Sequence, residues 1–180
     1  PAGSNEEPTL HLESYDPIKV SVVIPVGPGH DKIVTDAIDS VEAQTYQNWE
    51  CIVVNDTGKP LDTELPTWVK VVDWNVDQPS GPAAARNRGI ATARGEVFLP
   101  LDADDYLEPF ALQFLMDAYK IEGGVIYSDF WQTFKDLPRT VHHCDDYDPT
   151  LLTGKNRTVN GEKRQGMIHS VTALTPKKYW

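Results

Sequence analysis

Three carboxylates follow one apolar run of the sequence, in Leu101-Asp102-Ala103-Asp104-Asp105. Carboxylates held this closely repel one another, and a cation or water that screens the repulsion makes the arrangement favourable. Mg²⁺ and Mn²⁺ prefer oxygen ligands and commonly bridge a protein carboxylate to substrate phosphates. The motif therefore indicates either a metal site for a diphosphate or a solvated acidic turn, and its spacing alone does not decide between them.

Short apolar runs, each followed by turn residues, predict the elements that position this motif. Runs at 20–24, 51–54, 69–72 and 96–101 predict strands. Helical spacing of apolar residues at 31–43, an Ala-rich segment at 82–93 and a further segment at 109–119 predict helices. Because these strands and helices alternate, the sequence predicts an α/β fold with a mostly parallel central sheet and helices on both faces.

The predicted strands also indicate where a ligand binds. Ligands of such sheets bind beyond the carboxyl ends of the strands, and Pro25, Asp56 and Asp102 all lie at that edge. After residue 124 the pattern weakens: 125–134 and 167–174 predict strands, whereas 135–165 is polar and weakly periodic. The first half of the chain is therefore expected to carry the binding site.

The charge and cysteine content restrict the class of protein. Sixteen basic and 27 acidic residues give a net charge of −11, which opposes broad attraction to nucleic acid or to an anionic membrane surface. No apolar stretch approaches the roughly 20 residues that span a bilayer. The two cysteines, Cys51 and Cys144, suggest neither a zinc pattern nor a disulfide framework. We therefore expect a cytoplasmic protein without a transmembrane segment, with a polar linker or N-terminal extension at 1–18 and one domain at 19–180.

Four segments, in this order and spacing, resemble the family 2 glycosyltransferases: Val22–Pro25, Ile52–Asp56, Gly81–Ile90 and Phe98–Asp105. The resemblance covers about residues 19 to 119 and implies the Rossmann-like GT-A fold. It further implies a nucleotide-sugar-binding half at 19–122 and a partial acceptor-side region at 123–180. The implied donor is a nucleotide-diphosphate sugar, with a UDP-sugar favoured. The implied reaction is inverting transfer to a hydroxyl of a saccharide, lipid-linked or protein acceptor.

The resemblance assigns residues to the base end of the donor site. It places Pro25, Val26 and Asp56 around a pyrimidine, usually uracil, and a carboxylate at Asp56 would accept the imide N–H. As a loop residue, Asp56 is also expected to form an Asx turn before Gly58. Arg86 is expected to face the nucleotide, since its guanidinium offers five donors to phosphate or base oxygens. Arg88 is expected in solvent, the usual place for an unpaired Arg.

The resemblance also assigns the metal end of the site. Asp102 belongs with the ribose and the metal surroundings, Ala103 lies between the two acids, and Asp104 coordinates the metal directly. The implied cofactor is Mn²⁺ or Mg²⁺. Asp105 is expected to support the metal ligands or to cap the following helix. His169 is a further candidate ligand, although a lone His on an apolar strand is more often structural.

The catalytic base is not assigned by the resemblance to any residue of this chain. Inverting family members carry it in an acidic pair on a helix after the region matched here, so the chain is expected to be truncated before that helix. Asp129, Asp145 and Asp146 are the remaining candidates, because a base must reach the acceptor hydroxyl through a hydrogen bond. Potential ligands at 142–146 are expected to form a solvated loop rather than a metal cluster.

Two alternatives remain open from the sequence. One is a truncated or minimal donor-binding module with little transfer activity. The other is a sugar-phosphate nucleotidyltransferase, which uses a similar sheet and acidic metal site. Such enzymes usually have a Gly-rich basic loop after the first strand, and Pro25–Asp31 contains Gly without Arg.

Overall fold

The computed structural model of the chain describes residues 18–73, 79–133, 137–144, 157–159, 162–164 and 173–180, the two three-residue segments as backbone only. The expectation of an N-terminal linker therefore falls almost wholly outside the described residues. Asp145, Asp146 and His169 also lie outside them.

Four parallel strands form most of the central sheet: β1 (Val20–Val26), β2 (Trp49–Asn55), β3 (Lys70–Asp73) and β4 (Val97–Pro100). β1 lies in the middle, between β2 and β4, and β3 pairs with the outer edge of β2. The runs of β-branched residues explain why these segments form the central strands, because strands buried on both faces have nearly continuous apolar sequences. The strands predicted at 20–24, 51–54, 69–72 and 96–101 are confirmed.

Three helices cover the two faces of this sheet: α1 (Val34–Glu42), α2 (Pro82–Thr92) and α3 (Ala111–Glu122). Alternate side chains of β1 point to opposite faces, as the pleat requires. Val22 and Ile24 pack into one core cluster with α1 and α3, whereas Val23 packs into a second cluster with α2. The predicted α/β fold with helices on both faces is therefore confirmed.

The remaining strands are short. β5 (Phe130–Gln132) pairs with β6 (Thr140–His142), and β7 (Arg157–Val159) pairs with β8 (Glu162–Arg164), both antiparallel. β9 (Thr175–Pro176) returns to the central sheet and runs antiparallel to β4.

Two predicted elements differ from the structure. A strand was predicted at 125–134, but only β5 forms within it, and Ile126 makes an isolated bridge to Leu174 instead. Gly123 and Gly124 both have positive φ, so the chain turns sharply after α3 before it can extend. The helix predicted to begin near residue 31 begins at Val34, because the N–H of Val34 bonds the carbonyl of His30 in a preceding turn.

Gly89 lets α2 lie unusually close to the sheet. A Cβ atom at this position would stand 2.4 Å from Cγ1 of Val23 and 2.9 Å from Cγ2 of Val54. Only glycine fits this contact, so the helix cannot move outward without losing the packing of its buried face. The close approach fixes the height of the C-terminal half of α2 above the sheet.

Within the described residues, no helix is long and apolar enough to cross a membrane. Cys51 and Cys144 are not joined by a disulfide in the part of the chain that the structure describes. Burial in β2 raises the pKa of the Cys51 thiol to about 12, so this thiol stays protonated and packs as an apolar group.

Candidate active site

A cavity of about 440 Å³ opens at the carboxyl edge of the sheet, between the ends of β1, β2 and β4 and the start of α2. Its lining includes most residues predicted for the donor site, namely Pro25, Asp56, Arg86, Asp102, Ala103 and Asp104. Val26 is fully buried and is not part of the lining. The structure thus brings together residues that are far apart in the sequence.

Main-chain hydrogen bonds beyond the strand ends explain why these residues meet. The N–H of Asp56 donates to the carbonyl of Val26 at 2.8 Å, and the N–H of Leu101 donates to the carbonyl of Val23 at 3.0 Å. The pairing of β1 with both neighbours therefore continues to the residues that face the cavity. The loops that follow the strands start from a shared and rigid edge.

Asp56 is buried, with only 3% of its surface exposed, and its carboxylate is held by the protein. The N–H groups of Ser80 and Gly81 donate to Oδ2 at 3.0 and 2.8 Å. The Ser80 hydroxyl and Nη2 of Arg88 each donate to Oδ1 at 2.6 Å. Burial by itself would raise the pKa of Asp56, but these bonds from Ser80, Arg88 and Gly81 outweigh it and keep the pKa below its usual range.

Two expectations for this region are wrong. Arg88 is not a solvent residue: its side chain is 16% exposed and forms an ion pair with Asp56. The Asx turn belongs to Asn55, whose Oδ1 accepts the N–H of Thr57 at 3.1 Å. Asp56 cannot make that turn because its oxygens face the loop before α2 rather than its own chain. Asp56 therefore connects the end of β2 to the loop before α2.

Arg86 and Asp102 form the opposite wall of the cavity. The Nη2 atom of Arg86 donates to Oδ1 of Asp102, in an ion pair whose side chains are 17% and 34% exposed. Nε of Arg86 is buried and has no hydrogen-bond partner among the described residues. Arg86 itself lines the cavity, so its guanidinium can donate to acceptor groups of a ligand bound there.

Asp104 is exposed and lines two cavities. The second cavity, of about 710 Å³, lies between α3 and β5 and is lined in part by Tyr106, Asp129, Trp131 and Arg139. Asp104 thus lies between the 440 Å³ cavity and the larger one beside it. A side chain in this position can contact molecules bound in either cavity.

Asp105 does not cap α3. Its N–H donates to the carbonyl of Asp102 at 3.0 Å, which closes a tight turn through the acidic motif. The cap position of α3 is Phe110, which makes no side-chain capping bond. The turn instead directs the Asp104 side chain toward the two cavities.

The donor set at Asp102 and Asp104 fits a hard divalent cation only in part. Carboxylate oxygens are the ligands that Mg²⁺ and Mn²⁺ prefer. However, the described residues contain no group of three or more His, Cys, Asp or Glu side chains that could hold a metal ion. A cation here would need further oxygens from phosphates and water, as Mg²⁺ in nucleotide sites generally does.

The other base and ligand candidates give a mixed result. Asp129 lines the second cavity, where Nδ1 of His143 lies 2.7 Å from Oδ2 and the N–H of Cys144 donates to Oδ1 at 2.8 Å. These contacts with His143 and Cys144 lower the pKa of Asp129. His142 stacks on Phe130 instead of joining its neighbour. The structure therefore brings His143 and Cys144 to Asp129, whereas His142 contacts Phe130.

Two residues of the site, Ser80 and His30, are missed by sequence reasoning, and Gly81 is noted only as the start of a motif. Ser80 and Gly81 form the loop that holds Asp56, and His30 lines the cavity after β1. Gly81 directly before Pro82 signals a helix start, and a small hydroxyl residue before it suits a bond to a carboxylate. The partner of that hydroxyl lies 24 residues earlier and could not be identified from spacing.

Comparison with known proteins agrees with this fold and site. The pattern of glycosyl transferase family 2 matches residues 21–178, which is most of the chain. The chain therefore belongs to glycosyl transferase family 2.

Several relatives share the family. An uncharacterized glycosyltransferase of Rickettsia felis is 38% identical over 176 residues, covering 94% of this chain and 28% of the relative. The putative glycosyltransferase EpsH of Bacillus subtilis is 28% identical over 158 residues, covering 76% of this chain and 44% of EpsH. The chain thus spans less than half the length of either protein.

Solved structures show the same fold. Residues 1–349 of Staphylococcus aureus TarS match with a TM-score of 0.54 and 23% identity, over 63% of this chain and 36% of that one. The same part of TarS in complex with UDP-GlcNAc matches with a TM-score of 0.53. The GT-A fold implied by the sequence is confirmed.

Proposed function

We propose that this protein binds a nucleotide-diphosphate sugar, with a UDP-sugar favoured, in the 440 Å³ cavity and transfers the sugar to an acceptor hydroxyl. The observation that carries the proposal is the wall formed by Arg86, Asp102 and Asp104. It combines the Arg86 guanidinium with two carboxylates: that of Asp102, which lines the first cavity, and that of Asp104, which lines both cavities. A diphosphate bound to a sugar needs both features, because its charge must be offset while its far end reaches an acceptor.

The cavity has two chemically different ends. Pro25 and Asp56 line the end at β1 and β2, where the base would lie against a buried and rigid wall. Arg86 and the acidic motif line the other end, where the guanidinium would donate to phosphate oxygens. A nucleotide bound in this direction points its sugar toward Asp104 and the second cavity.

Asp102 and Asp104 would hold Mn²⁺ or Mg²⁺ together with the diphosphate. When bound, the cation would offset the negative charge that develops on the departing diphosphate. Asp104 would be the direct ligand, because its carboxylate is exposed and, among the residues that the structure describes, has no ion-pair partner like the one that Arg86 gives Asp102. Asp102 would support the ribose side and orient Arg86.

The acceptor would approach through the second cavity, since Asp104 lines both spaces. Asp129 is the candidate base that lies in this lining. The hydrogen bonds from His143 and Cys144 lower its pKa, so it is ionised at neutral pH and free to accept a proton, although as a weak base. The acceptor class, whether saccharide, lipid-linked or protein, stays a prediction.

The names of similar proteins support the proposal. The Rickettsia and Bacillus relatives are named as glycosyltransferases. The matching part of S. aureus TarS has been solved in complex with UDP and with UDP-GlcNAc. These names favour sugar transfer over the alternative of joining a sugar phosphate to a nucleotide.

Calorimetric titration with UDP-GlcNAc, UDP-glucose and a GDP-sugar, each with Mn²⁺ and with excess chelator, tests the donor assignment. We expect saturable binding of the UDP-sugars that is tighter than that of the GDP-sugar. Release of UDP in the presence of candidate acceptors then tests transfer. Binding without release would favour a donor-binding module, and no binding of any of the three compounds would reject the proposed function.

A further inference from the structure

We propose that the 710 Å³ cavity is a subsite for a neutral saccharide. The sugar ring packs on Trp131 and Tyr106, while its hydroxyls bond the ion pair of Arg139 with Glu108. Within the proposed function this saccharide is the acceptor, so the inference rests on that function for its role in transfer. It goes further because it selects one acceptor class and assigns the selection to four side chains outside the described lining of the nucleotide cavity.

The first argument is the exposed aromatic surface of the cavity. Tyr106, Phe110, Phe114 and Trp131 all belong to its lining, and between 49% and 71% of the surface of each is exposed. Several large rings exposed side by side mark a binding surface, because water solvates them poorly. The face of an aromatic ring is partially negative, so it attracts the C–H groups on the face of a sugar ring. The lining therefore suits a flat ligand that packs its C–H face against these rings.

The second argument is the way in which Arg139 is held. Its Cζ atom lies 4.6 Å from the centroid of the Trp131 ring and 5.9 Å from that of the Tyr106 ring, both within the range of a cation–π contact. Its Nη2 atom also donates to Oε1 of Glu108 in an ion pair, whose side chains are 39% and 52% exposed. These three contacts fix the guanidinium beside two of the aromatic rings.

The ion pair offers both kinds of hydrogen-bonding group to a ligand. A guanidinium has five N–H donors, and a carboxylate has about four lone-pair sites. The bond between Arg139 and Glu108 uses one of each, which among the described residues leaves further donors and acceptors for a ligand. Sugar hydroxyls both donate and accept, so they can bond both side chains. A hydrocarbon chain bound here would displace water from these charged groups without replacing its hydrogen bonds.

The third argument is the charge of the cavity. Its described lining contains four acidic side chains, Asp104, Asp105, Glu108 and Asp129, and one basic side chain, Arg139. Because Arg139 already pairs with Glu108, the lining keeps an excess of negative charge. A ligand that carries phosphate or carboxylate groups would be repelled. The charge therefore favours a neutral saccharide over an anionic polymer.

Asp104 connects this subsite to the nucleotide cavity, since it lines both spaces. A saccharide on the aromatic rings therefore lies next to the proposed donor. Transfer requires this arrangement, because the acceptor hydroxyl must be held close to the sugar that moves.

Calorimetric titration with five probes tests the ligand class. Cellotetraose, chitotetraose and maltotetraose are neutral, tetragalacturonate carries one carboxylate on each sugar, and farnesyl phosphate represents a lipid-linked acceptor. Each is titrated with and without UDP and Mn²⁺. We expect saturable binding of at least one neutral tetrasaccharide, and binding of tetragalacturonate that is weaker by roughly tenfold or more because of like-charge repulsion.

Substitutions then test the assigned side chains. We expect Trp131→Ala and Arg139→Ala each to weaken the neutral tetrasaccharide by roughly tenfold. Trp131→Phe should recover part of the first loss, because it keeps an aromatic face. The matched control is Trp68→Ala, because Trp68 is 39% exposed, packs on Trp49 and belongs to neither described lining. This control should bind the tetrasaccharide as wild type does.

The melting temperature and the UDP affinity of each variant separate loss of the subsite from loss of the fold. Both should equal those of wild type in Trp131→Ala and Arg139→Ala, since neither residue belongs to the described lining of the nucleotide cavity. Three results would each overturn the inference: binding of none of the neutral tetrasaccharides, tighter binding of tetragalacturonate or farnesyl phosphate, or neutral binding that both substitutions leave unchanged. If wild type bound a neutral tetrasaccharide through Trp131 but bound no UDP, the proposed function would fail and the saccharide subsite would stand.

Discussion

The ends of β2 and β4 place acidic residues on the same edge of the sheet and use them in opposite ways. Asp56, after β2, is 3% exposed and accepts bonds from a hydroxyl, two N–H groups and a guanidinium. Asp104, after β4, is exposed on the boundary of two cavities, and its neighbour Asp102 is one-third exposed with Arg86 as its ion-pair partner. The difference lies in the partners, because the sequence presents both as an Asp after an apolar strand.

The two carboxylates differ in what they stabilise: Asp56 stabilises the fold, whereas Asp104 is available to a ligand. A buried carboxylate with all its bonds made stabilises the fold, and removal of one partner leaves the other without compensation. An exposed carboxylate contributes little to folding and stays available to a ligand. The two strand ends should therefore respond differently to the same substitution.

The largest expected effect on stability belongs to Asp56→Ala. We expect it to lower the free energy of unfolding by about 3 kcal/mol, because it leaves the Arg88 guanidinium partly buried without its carboxylate and removes the acceptor of the Ser80 and Gly81 N–H groups. The matched control is Asp104→Ala, which should stay within about 0.5 kcal/mol of wild type because its side chain is exposed. Urea unfolding measures the free energy of unfolding of both variants. Equal losses would contradict the claim that the two strand ends differ in their contribution to stability.

Arg86→Ala tests the ligand-binding role assigned to the end of β4, where Arg86 pairs with Asp102. We expect UDP to bind roughly ten- to a hundredfold more weakly, because charge-assisted bonds to phosphate oxygens are lost. Stability should change less than in Asp56→Ala, since the Asp102 partner is one-third exposed and can be hydrated. Calorimetry with UDP, against Arg94→Ala as a control, provides the measurement. If the Arg86→Ala protein bound UDP as tightly as wild type, Arg86 would not belong to the nucleotide site.

The smallest effect concerns pH. The pKa of Asp56 is lowered in the folded protein, so its contribution to stability is fully present above its ordinary value of about 4 and is lost as the pH falls through the folded value. The difference in unfolding free energy between wild type and Asp56→Asn should therefore stay constant from about pH 7 to about pH 4 and shrink only below it. A difference that shrinks between pH 7 and pH 5 would mean that the hydrogen bonds from Ser80, Gly81 and Arg88 do not keep the Asp56 carboxylate ionised.

The sequence predicted the parallel strands and helices of the first half because their patterns are local. β-branched runs and helical spacing depend on near neighbours, and the glycines and prolines that end them are visible without the fold. The strand predicted at 125–134 failed for a different reason: the pairing of Ile126 is set by Leu174, which is distant in the sequence. Pairing between distant segments leaves no periodic signal.

The candidate site shows the same division. Motif order placed Pro25, Arg86 and Asp104 in one site, and all three line one cavity; that they bind a nucleotide sugar stays a prediction. The role of Arg88 could not be predicted, because its partner Asp56 lies 32 residues earlier and the pair forms only when α2 packs on β2. Val26 was predicted at the cavity but faces the core, since adjacent residues of a strand point to opposite sides.

The most direct test of the account is the thermodynamic coupling between Mn²⁺ and UDP at Asp104. In wild type, we expect UDP to bind at least about tenfold more tightly with Mn²⁺ than with excess chelator, and Mn²⁺ to gain the same factor from UDP. Asp104→Asn keeps the size of the side chain but removes its charge, so it should abolish the coupling while the melting temperature without ligand stays unchanged. Identical UDP affinity with Mn²⁺ and with chelator, in wild type and in Asp104→Asn alike, would contradict the assignment of a metal-assisted donor site to this strand end.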